Sequence, residues 1–217
     1  MKETGDNKTV VITIGRQFGS GGREIGRKIA DVLGIGYYDR ELLTEASKSA
    51  GVVEELFERN DERAPSYLNG LFSFAHGMTP PNIYSGSTSI SHDTIHRSKT
   101  DVISRIAERE SCVIVGRTAD YVLRDHPRHV SIFVHAPMEH CIDRITARDG
   151  SLSREKARAK AEKTNRLRAN YYNFYTDKKW GAASSYDLTF DTSLLPQEDI
   201  VAIVKDYVRR RFPEIFS

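Results

Sequence analysis

The sequence lacks several features that would decide its class at once. It has only two cysteines in 217 residues, too few for a disulfide framework. No apolar run approaches the roughly 18 residues that a membrane-spanning helix needs. Residues 1–8 are polar and show no signal-peptide pattern. We therefore expect a cytoplasmic protein without a membrane partner, with Cys112 and Cys141 buried and reduced.

Neither sign of charge is in excess. The chain has 32 Lys and Arg against 30 Asp and Glu, a net charge of +2, and 39% hydrophobic residues. This composition is typical of a folded globular protein, and it excludes a generally polycationic binder of nucleic acids or membranes. The length fits a single domain, residues 1–217, that carries insertions.

Apolar strand patterns alternate with helical patterns along the chain. Buried strands are predicted at residues 9–14, 35–38, 112–115, 129–135 and 186–192. Helices are predicted up to Gly34 and at residues 40–49, 52–59, 67–74, 94–110, 137–148, 153–175 and 196–211, with a long loop at 76–92. Val32 and Ile203 are expected on inward helix faces. The alternation predicts an α/β domain of three layers around a parallel sheet.

A glycine-rich turn joins the first strand to the first helix. Residues 15–26 read GRQFGSGGREIG. Glycines allow backbone N–H groups to approach an anion closely, and the N-terminus of a helix favours negative charge. We expect a phosphate site whose candidate residues are Arg16, Gly19, Ser20, Gly21, Gly22, Arg23 and Glu24.

The residues of this turn leave three interpretations open. A dinucleotide-binding fingerprint requires G-x-G-x-x-G, but Glu24 stands at the third glycine, although Asp39 could serve as the ribose-binding acid. A P-loop requires G-x-x-x-x-G-K-[ST], and alignment on the strand and helix places Arg16 at the first glycine and Gly22 at the lysine. A tight turn without a ligand is the third interpretation.

In the P-loop interpretation another residue must supply the missing cation. Arg23 is the first candidate and Arg16 the second, because a guanidinium is always charged and binds phosphate in a bidentate manner. Ser20 and Glu24 are the candidate ligands for Mg²⁺, Glu24 through a water molecule.

Further charged residues follow the ends of later predicted strands. Asp39 and Arg40 leave the second strand, and Arg117 follows the third. They lie at the carboxyl edge of a parallel sheet, where α/β proteins bind ligands.

The basic residues are concentrated in one segment. Residues 144–168 hold nine Lys and Arg and three Asp and Glu. Arg144 and Arg148 are four residues apart and share a helical face, whereas Arg166 and Arg168 do not. For most of this segment a solvated helix surface is the simpler interpretation.

Several segments resemble the cytidylate-kinase-like family, a divergent branch of the P-loop nucleoside monophosphate kinases. They are GRQFGSGGREIG, YYDRELL, CVIVGRTADYVL, IDRITARDG, EKTNRLRANYYNFYTDKKWG and SSYDLTFDTS, of which GSGGREIG and RANYY are the most specific. The resemblance implies a five-stranded P-loop NTPase-type core, a helical acceptor-binding insertion at residues 40–92 and an arginine-bearing lid at residues 144–168.

The resemblance also implies an activity and roles for residues. The activity is transfer of the γ-phosphoryl group of ATP, with Mg²⁺, to a small acceptor, in the first place a nucleoside monophosphate such as CMP. The implied lid or phosphate-bridging cations are Arg144, Arg148, Arg166 and Arg168. With Arg23, the candidate replacement for the P-loop lysine, they are the candidate catalytic residues. On the acceptor side the resemblance implies Arg117, and Asp39, Arg40 and Asp120 are further candidates.

This chain departs from the family pattern at the phosphate loop. Cytidylate kinases carry Gly-Lys-Gly-Thr where this chain has Gly21, Gly22, Arg23 and Glu24, and an Asp where it has Thr118. A non-catalytic nucleotide or phosphate sensor built on the kinase fold is therefore the alternative function. Nucleic-acid binding through residues 144–168 is the least favoured hypothesis, and the sequence leaves the oligomeric state open.

Overall fold

The computed structural model describes residues 8–39, 41–43 and 92–215, with residues 92–99 described by their backbone alone. Residues 41–43 are helical. The remainder of the helices predicted between residues 40 and 74, the loop predicted at 76–91 and Arg40 lie outside the described residues.

Five strands form one parallel sheet. They are β1 (Val11–Arg16), β2 (Gly36–Tyr38), β3 (Cys112–Val115), β4 (His129–His135) and β5 (Leu188–Asp191). Their order across the sheet is β2-β3-β1-β4-β5, and every pair is parallel. The predicted α/β fold with a five-stranded parallel sheet is confirmed.

The helices in the described ranges cover both faces of this sheet. They are α1 (Gly22–Leu33), α2 (His92–Arg109), α3 (Ala119–Val122), α4 (Met138–Arg148), α5 (Arg154–Tyr175) and α6 (Gln197–Arg211), with short 3₁₀ turns at Ala183–Ser185 and Pro213–Ile215. Sequence periodicity missed α3, because four residues are too few to show a helical period. It follows Arg117 and Thr118, which both have positive φ, 64° and 53°.

Strand β1 is apolar throughout because both of its faces are buried. Ile12 and Ile14 pack in the cluster that includes residues of α1 and α6. Val11 points to the opposite face and joins the cluster formed with α2, where Ile103 and Ile106 are buried. Its carboxyl end is thereby held rigidly between two helical layers, directly before the glycine-rich turn.

Two residues that were expected on the inward faces of helices, Val32 and Ile203, are exposed. Val32 is 48% exposed and Ile203 is 43% exposed. In the last turn of α1, Leu33 packs on the core instead of Val32. In α6 the buried residues Ile200 and Val204 define the inward face, and Ile203 lies beyond its edge.

The two cysteines agree with their expected state. Cys112 and Cys141 are both buried and neither forms a disulfide. Burial also raises the pKa of the Cys112 thiol to about 12, so it stays protonated at neutral pH. Among the described residues, no helix combines the length and apolar character needed to cross a bilayer.

Candidate phosphate-binding site

A cavity of about 450 Å³ lies where β1 and β3 end and α1 begins. Arg16 and Val115, the last residues of these two strands, form part of its wall. Its complete lining is Arg16, Gln17, Phe18, Gly19, Gly21, Gly22, Arg23, Glu24, Asp39, Glu41, Val115, Arg144, Ile145, Arg148 and Arg168. The structure thus brings six of the seven predicted phosphate-loop residues, together with three of the downstream arginines, into one cavity.

The backbone of the turn is shaped to receive an anion. Gly19 and Gly21 both have a φ of +85°, a conformation that glycine adopts readily. Gly21 caps the N-terminus of α1 without any side-chain hydrogen bond to the first turn. The first N–H groups of a helix have no partner within the helix and attract negative charge. This end of α1 can therefore donate hydrogen bonds to a phosphate group.

Gly19 is also required because the turn passes close to α4. A Cβ atom at Gly19 would lie 2.8 Å from the carbonyl oxygen of Cys141. Substitution here must move backbone, so the glycine is needed for both its φ and its small size.

Ser20 faces the core and not the cavity. Its side chain is buried, and Oγ donates to the carbonyl oxygens of Gln17, at 2.9 Å, and Val134, at 3.1 Å. Thr192 Oγ1 in turn donates to the Ser20 carbonyl at 2.9 Å. These bonds join the turn to β4 and to the residue that follows β5. The role of Ser20 as a metal-binding hydroxyl stays a prediction.

Arg23 connects α1 to the end of β2. Its Nε lies 2.9 Å and its Nη2 2.6 Å from Oδ2 of Asp39, and Nη2 also pairs with Glu41. Burial would raise the pKa of Asp39, but the hydrogen bonds from Arg23 and from the Leu42 N–H hold it below its ordinary value. Two carboxylates thus already offset the charge of Arg23.

Glu24 is engaged in an ion pair with Arg144. Arg144 Nη2 donates to Glu24 Oε2, which also accepts from Gln197 Nε2 at 3.0 Å. Burial opposes ionisation, but the bond from Gln197 and the charge of Arg144 lower the pKa of Glu24. A Cβ at Gly21 would meet Arg144 Nη2 at 2.9 Å, so the guanidinium lies directly over the turn.

Phe18 gathers the cations of α4 and α5 around the turn. The charged groups of Arg148, Lys160 and Arg168 lie 5.8, 5.9 and 5.8 Å from the centre of its ring. Positive charge is attracted to the face of an aromatic ring at such distances. One apolar side chain in the turn therefore keeps three cations close to the cavity.

Helix α5 is also hydrogen-bonded to the turn. The Phe18 N–H donates to Asn165 Oδ1 at 2.7 Å, and Arg168 Nη1 donates to the Arg16 carbonyl at 3.2 Å. The segment predicted to be a lid comprises the end of α4, a five-residue connection and the first part of α5. It lies against the phosphate loop in this structure.

Several predicted site residues lie away from the cavity. Arg166 is exposed on α5. Asp120 is buried and accepts a hydrogen bond of 2.6 Å from the Tyr172 hydroxyl, so its carboxylate joins α3 to α5. The guanidinium nitrogens Nη1 and Nη2 of Arg117 are buried outside the cavity lining.

Sequence reasoning missed Phe18, Asn165, Glu41 and Gln197. The apolar Phe18 inside a polar, glycine-rich turn was the one available signal, because such a residue needs a packing partner. The other three act through contacts with residues distant in sequence, for which no spacing rule exists.

The carboxylates at the cavity do not form a metal site by themselves. Within the described ranges, no group of three His, Cys, Asp or Glu side chains is placed to hold a metal ion. Mg²⁺ prefers carboxylate and phosphate oxygens, but Glu24, Asp39 and Glu41 all accept from arginines. The residues present do not fit a metal held by the protein alone.

The fold and the site together define a class. The parallel sheet of this order, with a glycine turn between β1 and α1, is that of P-loop kinases. A shikimate kinase from Acinetobacter baumannii, in complex with shikimate, has a TM-score of 0.50 at 14% identity, covering 94% of this chain and 96% of that one. A gluconokinase from Sinorhizobium meliloti has a TM-score of 0.51 at 15% identity, with 97% of both chains covered. Both show the fold alone.

Within this class the family is also defined. The model of the cytidylate kinase-like family matches residues 11–194, and the chain belongs to that family. A cytidylate kinase of Pyrobaculum aerophilum is 28% identical over 199 residues, 91% of this chain and 92% of the relative. The crystal structure of an uncharacterized protein from Eubacterium ventriosum has a TM-score of 0.68 at 25% identity, covering 92% of this chain and 98% of that one.

Proposed function

We propose that the protein transfers the γ-phosphoryl group of ATP to a small acceptor bearing a phosphate or hydroxyl group. The observation that carries this proposal is the cavity at the start of α1, where the glycine turn and arginines from β1, α1, α4 and α5 converge. Membership of the cytidylate kinase-like family supports the same reaction class and ATP as the donor.

The charges of the cavity suit a polyphosphate. Five arginines and three carboxylates line it, which leaves an excess of two positive charges. They are Arg16, Arg23, Arg144, Arg148 and Arg168 against Glu24, Asp39 and Glu41. Phosphoryl transfer depends mainly on positioning the groups and on stabilising the charge of the transferred phosphoryl group. These side chains supply that stabilisation.

On the acceptor side we propose a nucleoside monophosphate as the first candidate. The support is that the Pyrobaculum relative is a cytidylate kinase and that the chain belongs to the cytidylate kinase-like family. Asp39 at the end of β2 lines the cavity and is the acceptor-side residue that we retain. The proposal also keeps residues 40–92 as the acceptor-binding insertion and residues 144–168 as the lid.

Catalysis in this proposal is positional and electrostatic. The turn binds the donor phosphates through N–H groups, and Arg144 exchanges its bond to Glu24 for one to phosphate. Arg148 and Arg168 approach from α4 and α5 and exclude water from the transferred group. We expect any metal requirement to be met by an ion that arrives with ATP.

A coupled assay of ADP formation with a panel of nucleoside monophosphates and small hydroxyl compounds tests the proposal. We expect ADP formation that depends on at least one acceptor. Arg168→Ala should lower turnover, whereas Arg158→Ala should not, since Arg158 pairs with Glu139 on the outer surface. The proposal would be contradicted if the protein neither bound ATP nor formed ADP with any acceptor.

The second candidate is a nucleotide sensor without turnover. It is favoured by the glycine at position 22 and by the carboxylate pairs that Arg23 and Arg144 already form. Calorimetry separates the two candidates, because tight ATP binding without any ADP formation identifies the sensor.

Neither a membrane nor a nucleic acid is a partner in this proposal. Arg154 and Arg158, on the basic helix α5, pair with Glu139 and Asp143 of α4, as expected of a solvated helix surface. Oligonucleotide affinity that falls steeply with salt would instead indicate nucleic-acid binding. The cytoplasmic location remains a prediction.

A further inference from the structure

We propose that Arg16 supplies the cation that a lysine supplies in a standard P-loop, and that Gly22 is the substitution that makes room for it. The standard pattern is G-x-x-x-x-G-K. This chain has an arginine at the position of the first glycine and a glycine at the position of the lysine. The cation and the small residue have exchanged places. The inference rests on the proposed function, since its ligand is the phosphate chain of ATP.

The geometry makes the two positions mutually exclusive. A Cβ atom on Gly22 would lie 2.7 Å from Cβ and 3.3 Å from Cγ of Arg16, and 3.3 Å from Cβ of Val134. Cβ atoms are fixed by the backbone, so neither side chain can rotate out of the way. With this backbone, a lysine at position 22 requires a small residue at position 16.

A second glycine makes room for the other end of Arg16. A Cβ on Gly116 would lie 1.9 Å from Nη1 and 2.8 Å from Cζ of Arg16. Gly116 directly follows β3, the strand that pairs with β1. The guanidinium therefore lies at the carboxyl ends of two central strands. Arg16 also forms part of the cavity wall. It is always charged and can bind two phosphate oxygens at once.

This placement makes Arg16, and not Arg23, the first candidate for the cation that replaces the P-loop lysine. Arg23 directs its guanidinium to Asp39 and Glu41, and its side chain is 56% exposed. Arg16 is the last residue of β1, and its Cβ lies against Gly22 at the start of α1. Arg23 is thus a link between α1 and β2, and Arg16 is the donor-side cation.

Three variants test the exchange. Arg16→Met keeps the apolar stem and removes the charge. Gly22→Lys adds the standard lysine beside Arg16. Arg16→Gly combined with Gly22→Lys restores the standard pattern. Arg27→Met is the matched control, because Arg27 is exposed on α1 and packs on Tyr37 outside the cavity.

We expect Arg16→Met to weaken ATP binding by about 10- to 100-fold in calorimetry, the change expected for a lost charge-assisted hydrogen bond. Gly22→Lys alone should lower Tm by roughly 2–12 °C through overpacking. The double variant should recover the wild-type Tm to within a few degrees and bind ATP more tightly than Arg16→Met does. Arg27→Met should match the wild type in both measurements.

Two results would overturn the inference while the proposed function stands. One is Arg16→Met binding ATP as tightly as the wild type, and the other is a double variant that binds no better than Arg16→Met. A wild-type protein that does not bind ATP would overturn the proposed function and the cation role together. The Tm difference between Gly22→Lys and the double variant reports the steric exchange in either case.

Discussion

Removing the hydroxyl group of Tyr172 separates a structural role of Asp120 from an acceptor-binding one. In the structure this hydroxyl donates to Asp120 Oδ2 at 2.6 Å, and both residues are buried. Tyr172→Phe keeps the ring, which packs near Phe133 and Tyr186. The substitution therefore deletes the hydrogen bond to Asp120 and the polar contact between the Tyr172 and Tyr186 hydroxyls, and it leaves the packing of the ring in place.

The expected loss of stability follows from the charge of the Asp120 carboxylate, which accepts this hydrogen bond. A hydrogen bond to an ionised group contributes about 1.5–3 kcal/mol, and a buried acceptor that loses its donor also bears its desolvation cost. For a chain of this length we expect a loss of about 2 kcal/mol in the free energy of unfolding, a fall in Tm of roughly 4–8 °C.

The loss of stability in Tyr172→Phe should increase with pH. Burial raises the pKa of Asp120 above 3.8, and the bond from Tyr172 opposes that rise. Because the folded pKa is raised, the contribution of Asp120 to stability is greatest below pH 3.8 and is lost as the pH rises through the folded pKa. In Tyr172→Phe the folded pKa of Asp120 rises further. The stability gap to the wild type should be smallest near pH 4 and should widen toward neutral pH.

Urea unfolding of the wild type and Tyr172→Phe from pH 4 to pH 8 measures this gap, and steady-state kinetics gives the acceptor KM of Asp120→Asn. We expect the gap to widen with pH and the KM to stay within about twofold. A constant gap below about 0.5 kcal/mol would refute the role of the hydrogen bond. A KM raised about tenfold or more in Asp120→Asn would show that Asp120 contacts the acceptor.

Three further predictions concern the cavity and the core. Arg144→Ala should weaken ATP binding by about 10- to 100-fold in calorimetry, and Arg154→Ala, on the outer surface, should not; equal affinities would remove Arg144 from the site. Phe18→Leu should weaken ATP binding by about two- to fivefold, since it removes the ring face that attracts three cations. Burial lowers the pKa of His129 from 6.5 to about 4, so the wild type should lose up to about 3 kcal/mol of stability as the pH falls from 6.5 to 4. In urea unfolding, His129→Gln should flatten this loss, and an unchanged slope would assign it to other groups.

The sheet could be predicted from sequence because its strands are short β-branched runs bounded by glycine or polar residues. Strands β3 and β4 begin and end where the sequence predicts. Strand β5 is shorter than predicted by two residues at its start and one at its end, because Tyr186 packs on Phe133 before the pairing with β4 begins. Such ends depend on tertiary contacts that local patterns do not contain.

The location of the site could be predicted from the sequence, but the ion pairs and contacts of its side chains could not. The glycine spacing before α1 was enough to locate a phosphate loop. The sequence could not predict which arginine serves this loop. That depends on Asp39 lying 2.6 Å from Arg23 and on Gly116 lying next to the guanidinium of Arg16. The direction of the Ser20 hydroxyl likewise follows from the left-handed glycines on either side and not from the residue type.

The central claim is that the N-terminus of α1 and its glycine turn bind the phosphates of ATP. A titration of ¹⁵N-labelled protein with ATP, followed by amide chemical shifts, tests it most directly. We predict saturable shifts concentrated in residues 19–24 and in Gly116, reduced in Arg16→Met. Saturation without shifts in this turn, or shifts confined to the outer surface of α5, would contradict the account.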